Sequence, residues 1–393
     1  MSLMIFDSII ILFGIIIIIY KFLLYPKIRL IQKKRKYGDK IKVIHHFGPG
    51  LLVEYKKSYI QNKDSLSFLR QMANQNGNNI QAYTFNIGTS VGYSFVDPDL
   101  IKLVHQNHEA FQKIDVSQAI AYLFLNLCYL QQVKASRSRA NSQENLSTMM
   151  KLKTIFHQSK IFAQKSPIGQ AKSCNEITIE EIIDNFCALF IAGTDTTGNM
   201  TGAALYFLSL NPKIQEEARE EVMQIIKQKT NSSDLKELYN CLQFEDLAKL
   251  DLINSIFKES LRLDPPASGV LPRISKQDIK IGQFEVKKGD LVNTHFIYNQ
   301  SNPKVFINQG QINPYRWMKG KEQANVFNFT PFPQGPRNCI GQHLAMIEGK
   351  SILINFLLNF DIIPIPQKEV KYETKVIYEL QPDELVYFRK RNN

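Results

Sequence analysis

The chain has 393 residues, 44% hydrophobic and 21% charged, so it can bury a large core in one large domain or in two to three small ones. Its five cysteines are scattered and include no Cys-x-x-Cys pair, which argues against a disulfide framework or a zinc site and suits a reducing compartment. The formal net charge of +12 does not indicate a nucleic-acid partner, because residues 1–57 carry +8 of it directly after an apolar segment, where it is typical of a membrane flank.

The first predicted element is an apolar run from Leu3 to Leu24. Twenty-two residues at 1.5 Å each extend about 33 Å, enough to span a bilayer core. The basic cluster at residues 33–36 follows the run and no Ala-x-Ala cleavage site is present, so the run is predicted to be a signal anchor and not a cleaved signal peptide. The positive flank predicts that residues 26–393 face the cytosol. A buried core helix is the alternative, which the basic flank disfavours.

The next elements are predicted to be a hairpin and short helices. Residues 82–96 alternate between apolar and polar and predict a β-hairpin. Asp97-Pro98 then provides an N-cap and an N1 proline for a short helix. Residues 119–133 are apolar and predict a helix, whereas residues 134–177 are rich in Ser, Lys and Gln and predict a loop.

The second half of the chain has stronger helical patterns. Thr178-x-x-Glu181 is a capping box before an apolar run that continues to Leu210, and Asn211 is predicted to cap the helix that follows. Further helices are predicted at 212–229, 250–263 and 340–359, and short strands between 278 and 298 and at 386–389.

One cysteine is presented in a way that suits metal binding. The run Phe332-Pro333-Gln334-Gly335-Pro336-Arg337-Asn338-Cys339-Ile340-Gly341 sets Cys339 after a Pro/Gly/Pro turn and at the start of an apolar helix. The N–H groups and the dipole of a helix N-terminus stabilise an anionic sulfur, and Gly335 permits the tight turn. The alternative is a structural cysteine buried after a turn.

The pattern Phe-x-x-Gly-x-Arg-x-Cys-x-Gly, formed by Phe332, Gly335, Arg337, Cys339 and Gly341, resembles the haem-thiolate loop of the cytochrome P450 family. The resemblance implies a mainly α fold with small β-sheets (α+β), here with an N-terminal transmembrane helix. It also implies haem b as cofactor, with Cys339 as the axial thiolate ligand of the iron. Arg337 would pair with a haem propionate, and Gly341 would let the helix backbone approach the flat macrocycle.

A second segment, Ala192-Gly193-Thr194-Asp195-Thr196-Thr197, lies inside the long predicted helix. Glycine and threonine are poor helix formers, and a hydroxyl that competes for backbone hydrogen bonds can open a local groove. The segment is similar to the oxygen-activation segment of the family, which implies that Asp195 and Thr196 form the acid–alcohol pair that helps deliver protons to oxygen. The alternative is that both are ordinary solvated residues.

A third motif contains Glu259 and Arg262, which face each other at i, i+3 on one helix turn. By themselves such pairs are usually surface ion pairs that contribute little to folding stability. The family completes this pair with an arginine from a later loop, and the resemblance of residues 313–317 to that loop implies that Arg316 is the third member of a structural triad. Arg273 lies where the family carries another propionate-binding arginine; the alternative is a solvated arginine.

The chain departs from the family pattern in its first half. The family places a Trp-x-x-x-Arg helix, which holds propionates, after the first hairpin and helix, but the one tryptophan here is Trp317. Only 66 residues separate Phe111 from Thr178, where the family fits several helices, so the chain is interpreted as internally truncated. The predicted division is 1–25 as transmembrane anchor, 26–177 as a shortened N-terminal part and 178–393 as the haem-binding core.

The resemblance and the predicted anchor together imply a haem-thiolate monooxygenase in the endoplasmic reticulum membrane, single-pass and facing the cytosol. It would insert one oxygen atom of O2 into an apolar small molecule, with electrons from an NADPH-dependent reductase. The alternative is a membrane-anchored pseudoenzyme or truncated product that does not turn over. A haem-thiolate isomerase or dehydratase is disfavoured by the Asp195–Thr196 pair.

Overall fold

The fold is described from a computed structural model of the chain. The described residues are 12–14, 16–17, 19–44, 51–76, 80–87, 89–113, 179–230, 237, 241–269, 272–321, 325–368, 370–374, 377–381 and 385–391. The predicted helix at 119–133, the predicted loop at 134–177 and the proposed Thr178 cap therefore lie outside the described residues.

The helices of the described residues include the long one predicted to end at Leu210 and those predicted at 212–229, 250–263 and 340–359, with ends that differ by one or two residues. They are α1 (Tyr25–Tyr37), α2 (Leu51–Asn62), α3 (Ser67–Asn76), α4 (Pro98–Gln106), α5 (Ile179–Ser209), α6 (Pro212–Lys227), α7 (Asp251–Leu263), α8 (Phe296–Gln300) and α9 (Gln342–Asn359). The strands are β1 (Ile41–Ile44), β2 (Ala82–Ile87), β3 (Ser90–Phe95), β4 (Phe111–Lys113), β5 (Arg273–Ser275), β6 (Ile279–Ile281), β7 (Phe284–Val286), β8 (Leu291–Thr294), β9 (Phe360–Pro364), β10 (Lys371–Thr374), β11 (Tyr378–Gln381) and β12 (Val386–Lys390). This mixture of helices and small sheets confirms the predicted fold class in its general form.

The largest sheet in the described part of the chain has six strands in the order β1-β2-β3-β8-β5-β4. The predicted hairpin is its antiparallel β2–β3 pair, and β3 continues in parallel to β8. At that second junction a Cβ on Gly92 would lie 2.6 Å from the Cβ of Leu291, so only glycine lets the two strands approach. The sheet brings β8 and β5 next to each other, and both strands contribute to the site described below.

The helical core packs α6, α7 and α9 against the second half of α5. Its buried members include Met200 and Leu208 of α5, Val222 of α6 and Leu353 of α9. Gly349 lies in the middle of α9, where a Cβ would meet the Cε of Met200 and the Cε1 of Phe257 at 2.9 Å each. The glycine therefore sets how closely three helices approach one another.

Two predicted helix caps have opposite outcomes. The carboxylate of Asp97 accepts hydrogen bonds from the backbone N–H of Asp99 and Leu100 at 3.0 and 3.2 Å, which confirms it as the N-cap of α4. Asn211 precedes α6 but its side chain makes no cap hydrogen bond there. Its Nδ2 instead donates to the carbonyl oxygen of Phe207 at 2.8 Å, so the predicted side-chain cap is wrong, because a free carbonyl at the end of α5 competes for the amide.

The basic helix α1 is docked onto the large sheet through an ion pair. Arg29 Nη2 and Lys33 Nζ lie 2.9 and 3.0 Å from the two carboxylate oxygens of Asp290, whose side chain is 1% exposed. The ammonium of Lys33 also lies 3.6 Å from the ring centroid of Tyr93. Burial lowers the pKa of Lys33 to about 8, although the charge of Asp290 opposes the shift.

Within the described residues, no helix combines the length and the apolar character that crossing a membrane requires. Much of the predicted span from Leu3 to Leu24 lies outside those residues, and the part from Tyr20 to Leu24 forms a π-helical turn that leads into α1.

Contacts divide the chain into two units that differ from the predicted division. One comprises Met1–Leu123 with Asp195–Asn393 and holds the sheets and the helical core. The other comprises Phe124–Thr194, of which residues 179–194 are described and helical. The predicted boundaries at residues 25 and 177 remain predictions.

We expect Gly349→Val to lower the free energy of unfolding by about 1–3 kcal/mol, because the added methyl groups collide with Phe257 and Met200 in a packed core. Gly202→Ala in α5 is the matched control, since a Cβ there meets nothing within 4 Å and alanine is the better helix former by about 1 kcal/mol. Urea unfolding of the detergent-solubilised full chain measures both, and equal stability of the two variants would contradict the packing described here.

The shifted pKa of Lys33 predicts a pH dependence of stability. Between about pH 8 and the ordinary value of 10.5, Lys33 is mostly neutral in the folded chain but charged in the unfolded chain. The unfolded state then binds more protons, so this group makes the free energy of unfolding rise with pH across that window. Lys33→Met should remove the rise, whereas Lys27→Met, at an exposed position of α1, should keep it. Unfolding curves at several pH values test this, and an unchanged slope in Lys33→Met would contradict it.

Candidate functional site

The loop before α9 holds Cys339 away from the core. Gly335 adopts a φ of +88°, a left-handed conformation that favours glycine, and the backbone N–H of Asn338 donates to its carbonyl oxygen at 3.0 Å. Phe332 anchors the start of the loop by packing against the helical core. Cys339 is an exposed free thiol. The loop thus presents a sulfur at the surface, unlike the buried structural cysteine that was the alternative.

Helix α9 begins two residues later than the sequence predicted. Gly341 is its N-cap and Gln342 its first residue, so Cys339 precedes the cap by two positions. A Cβ on Gly341 would lie 4.0 Å from the Sγ of Cys339, in ordinary van der Waals contact. The glycine therefore keeps the immediate neighbourhood of the sulfur clear of side-chain atoms.

A cationic pocket lies beside this loop. Its lining includes Arg273, Arg337, His105, His108 and Thr294. Arg273 enters it from β5 and Arg337 from the loop itself. Burial, followed by the positive charge of Arg337, lowers the pKa of Arg273. Two like charges therefore face one space, which favours the binding of an anion there.

The predicted triad forms a buried network around the carboxylate of Glu259. Arg262 forms a bidentate pair with it, with Nε and Nη2 each 2.9 Å from a carboxylate oxygen, and both side chains are 1% exposed. Arg316 Nε lies 3.2 Å from Oε1. The structure thus brings the three residues together, and the desolvated, bidentate geometry distinguishes this pair from an ordinary surface ion pair.

Two further groups in this network were missed by sequence reasoning. Trp317 Nε1 donates to Glu259 Oε2 at 2.7 Å, and the backbone N–H of Asn313 donates to Oε1 at 3.0 Å. Arg262 and Arg316 also donate to backbone carbonyls, those of Gln300 and Ile307. The sequence held a signal for Trp317, because it directly follows Arg316 in the motif Asn313-Pro314-Tyr315-Arg316-Trp317 and a buried indole N–H requires a hydrogen-bond acceptor.

The segment containing Asp195 and Thr196 is a continuous part of α5. Thr194 Oγ1 donates to the carbonyl oxygen of Phe190 at 2.7 Å, so its hydroxyl bonds to the preceding turn without interrupting the helix. Asp195 is exposed and Thr196 is half-buried. Neither residue lines the cationic pocket or joins the Glu259 network.

Comparison with known proteins decides the family. The model of the family described as Cytochrome P450 matches residues 52–385, which include the Cys339 loop, the Glu259 network and the helix carrying Asp195. The chain belongs to the cytochrome P450 family.

Several cytochromes P450 are similar to part of this chain. Cytochrome P450 4F8 of Homo sapiens is 33% identical over 50% of this chain and 36% of that protein, and cytochrome P450 4F12 of Homo sapiens is 34% identical over 54% and 38%. The mitochondrial 25-hydroxyvitamin D-1 alpha hydroxylase of Rattus norvegicus is 30% identical over 49% and 36%. A crystal structure of the cytochrome P450 CYP102L1 aligns with a TM-score of 0.49 at 25% identity over 55% of this chain and 47% of that chain. The match covers less than half of the length of each of these three curated relatives.

Members of the cytochrome P450 family bind haem through the thiolate of a cysteine, and haem b is the cofactor expected of this family. The residues present fit such a group. Cys339 offers an accessible sulfur, Gly341 leaves it unobstructed, and the adjacent pocket offers two guanidinium groups to the carboxylates of a haem.

We expect Glu259→Gln to lower the free energy of unfolding by about 3–5 kcal/mol, because it leaves the buried Arg262 guanidinium without a compensating charge. Trp317→Phe removes one hydrogen bond and keeps the ion pair, so it should cost about 1–3 kcal/mol. Chemical unfolding of both variants in one buffer compares them directly. If Glu259→Gln proved no more costly than Trp317→Phe, the carboxylate would not be the centre of this network.

Proposed function

We propose that this cytochrome P450 is a haem-thiolate monooxygenase that inserts one oxygen atom of O2 into an apolar small molecule. The observation that carries the proposal is the loop from Phe332 to Gly341, which supplies both an exposed Cys339 and the pocket-lining Arg337. The family match over residues 52–385 supports the same reaction class. One loop would thus provide the iron ligand and one of the two arginines for the carboxylates of a haem, and β5 would provide the other.

Haem supplies the oxygen chemistry when bound, because a thiolate ligand increases electron density at iron and favours cleavage of the O–O bond. The chain's residues have simpler tasks in this proposal. Cys339 ligates iron, Arg273 and Arg337 bind and orient the propionates, and Gly341 keeps the approach to the sulfur open.

Asp195 and Thr196 are proposed to handle protons. An exposed carboxylate can exchange protons with solvent, and a neighbouring hydroxyl can both accept and donate one. Adjacent in α5, the two side chains would pass protons from solvent toward the reacting oxygen.

Glu259, Arg262 and Arg316 have a structural role, since their network ties α7 to the segment that ends at Trp317.

Electron supply and location belong to the same proposal. We propose an NADPH-dependent reductase as electron donor, as the resemblance to the membrane-anchored members of the family implies. The apolar run from Leu3 to Leu24 and its basic flank support a single-pass anchor in the endoplasmic reticulum membrane with the remaining residues in the cytosol.

A pseudoenzyme is the second candidate. The aligned regions cover 36% to 44% of the curated relatives, and Trp317, the one tryptophan of the chain, serves the Glu259 network. A Trp-x-x-x-Arg helix is therefore not available to hold the propionates. Under this alternative the chain binds no haem, or binds it without turnover.

The absorption spectrum of the reduced, carbon monoxide-treated protein separates the two candidates. We expect the haem-reconstituted full chain to show a strongly red-shifted Soret band, because a thiolate is the axial ligand. Cys339→Ser should lose this band and the oxygenase activity, whereas Cys241→Ser, in the helical core, should retain both. An unshifted band or no haem uptake in the wild-type chain would favour the pseudoenzyme.

A further inference from the structure

The cationic pocket contains more hydrogen-bonding groups than its two arginines. His105 lies near the end of α4, and His108 begins the 3₁₀ turn His108–Ala110 that follows. The Nε2 of His105, the Nδ1 of His108 and the Oγ1 of Thr294 are all buried and lack a hydrogen-bond partner among the described residues. Buried polar atoms in folded proteins are nearly always paired, so these three atoms, on residues that line one pocket, are available to a bound ligand.

The charges of the pocket indicate that this ligand is an anion. Arg273 and Arg337 face the pocket, none of its lining residues is acidic, and neither arginine makes an ion pair with the described part of the chain. A carboxylate accepts several hydrogen bonds at once, so it can satisfy a guanidinium and an imidazole together.

His105 is held in place by the loop that carries Cys339. A Cβ on Gly335 would lie 3.7 Å from the carbonyl oxygen of His105, so the turn and the end of α4 are close neighbours. Burial lowers the pKa of His105, a hydrogen bond with the backbone of Gln334 opposes that shift, and the charge of Arg273 adds to it. Because Nε2 is unpaired, the Gln334 contact uses Nδ1, whose N–H donates to the backbone carbonyl oxygen. Nε2 then donates to an anion in the pocket only as part of the protonated imidazolium, the form that an anion bound beside it favours.

We propose that His105 and His108 are haem-binding residues that hold the propionate carboxylates together with Arg273 and Arg337. The inference rests on the proposed function, since it assigns the partners of the same cofactor. The two histidines would replace the propionate-binding groups of the Trp-x-x-x-Arg helix, which this sequence lacks. They come from a different part of the fold, α4 and the turn after it.

The test compares haem with haem dimethyl ester, whose propionates carry no charge. The proteins are the full-length wild type and the double variant His105→Phe/His108→Phe, and the measured quantity is the rate at which each loses the cofactor to an excess of apomyoglobin. We expect the double variant to lose haem roughly tenfold faster or more, because hydrogen bonds to a charged group are lost. It should lose the ester at the wild-type rate.

Two further variants make the outcome specific. Lys102→Ala removes an exposed charge from the same helix outside the pocket and should leave both rates unchanged. His105→Asn/His108→Asn keeps an N–H donor at each position and should recover part of the haem retention. His105→Leu/His108→Leu, which keeps no donor, serves in place of the phenylalanine variant if that does not fold by circular dichroism.

The results distinguish this inference from the proposed function. If the wild-type chain holds haem with a red-shifted carbon monoxide band and the histidine variants release haem at the wild-type rate, the histidine assignment is wrong and the proposed function stands. Equal acceleration for haem and its ester would also overturn the assignment, because it would mean a general structural effect. A wild-type chain that takes up neither cofactor would overturn both proposals.

Discussion

The buried carboxylate of Glu259 is the interaction on which the order of the second half of the chain depends. It accepts hydrogen bonds from the guanidinium groups of Arg262 and Arg316, from the indole of Trp317 and from the backbone of Asn313. A charge this far from water is tolerable only when every lone pair has a donor. The donors come from α7 and from the segment after it, so one ion fixes their mutual position. The Cys339 loop follows that segment in the chain and starts from Phe332, which packs on the same core.

Besides the Glu259 network, the site contains a pocket in which two arginines have no acidic side chain beside them. Arg273 and Arg337 repel each other there, and three buried polar atoms of the lining residues lack hydrogen-bond partners in the described part of the chain. Such an arrangement lowers the stability of the chain alone and increases its affinity for an anion, since binding pairs the charges and the donors in one step. Two glycines shape the loop near the sulfur. Gly335 makes the turn that brings the loop to α4, and Gly341 adds no side-chain atoms beside Cys339.

The basic side chains of α1 have two kinds of surroundings, which their sequence does not distinguish. A run of lysine and arginine after an apolar stretch is typical of a membrane flank, and most of these side chains are exposed on α1. Two of them, Arg29 and Lys33, point inward and pair with Asp290. The sequence separation of more than 250 residues between these partners explains why no local pattern could have linked them.

The sequence by itself determined the features that depend on neighbours along the chain. The Asp97 cap, the β2–β3 hairpin, the approximate extents of α6 and α7 and the i, i+3 pair of Glu259 and Arg262 follow from local geometry. Only the tertiary structure decided the partners that are distant in sequence: Trp317 on Glu259, Gly349 against Phe257, and the meeting of His105 with Arg273 and Arg337. Helix periodicity and turn-forming residues determine structure over a few neighbouring residues. Burial and charge pairing join residues that are far apart in the sequence, and the pocket of Arg273 and Arg337 is formed by such residues.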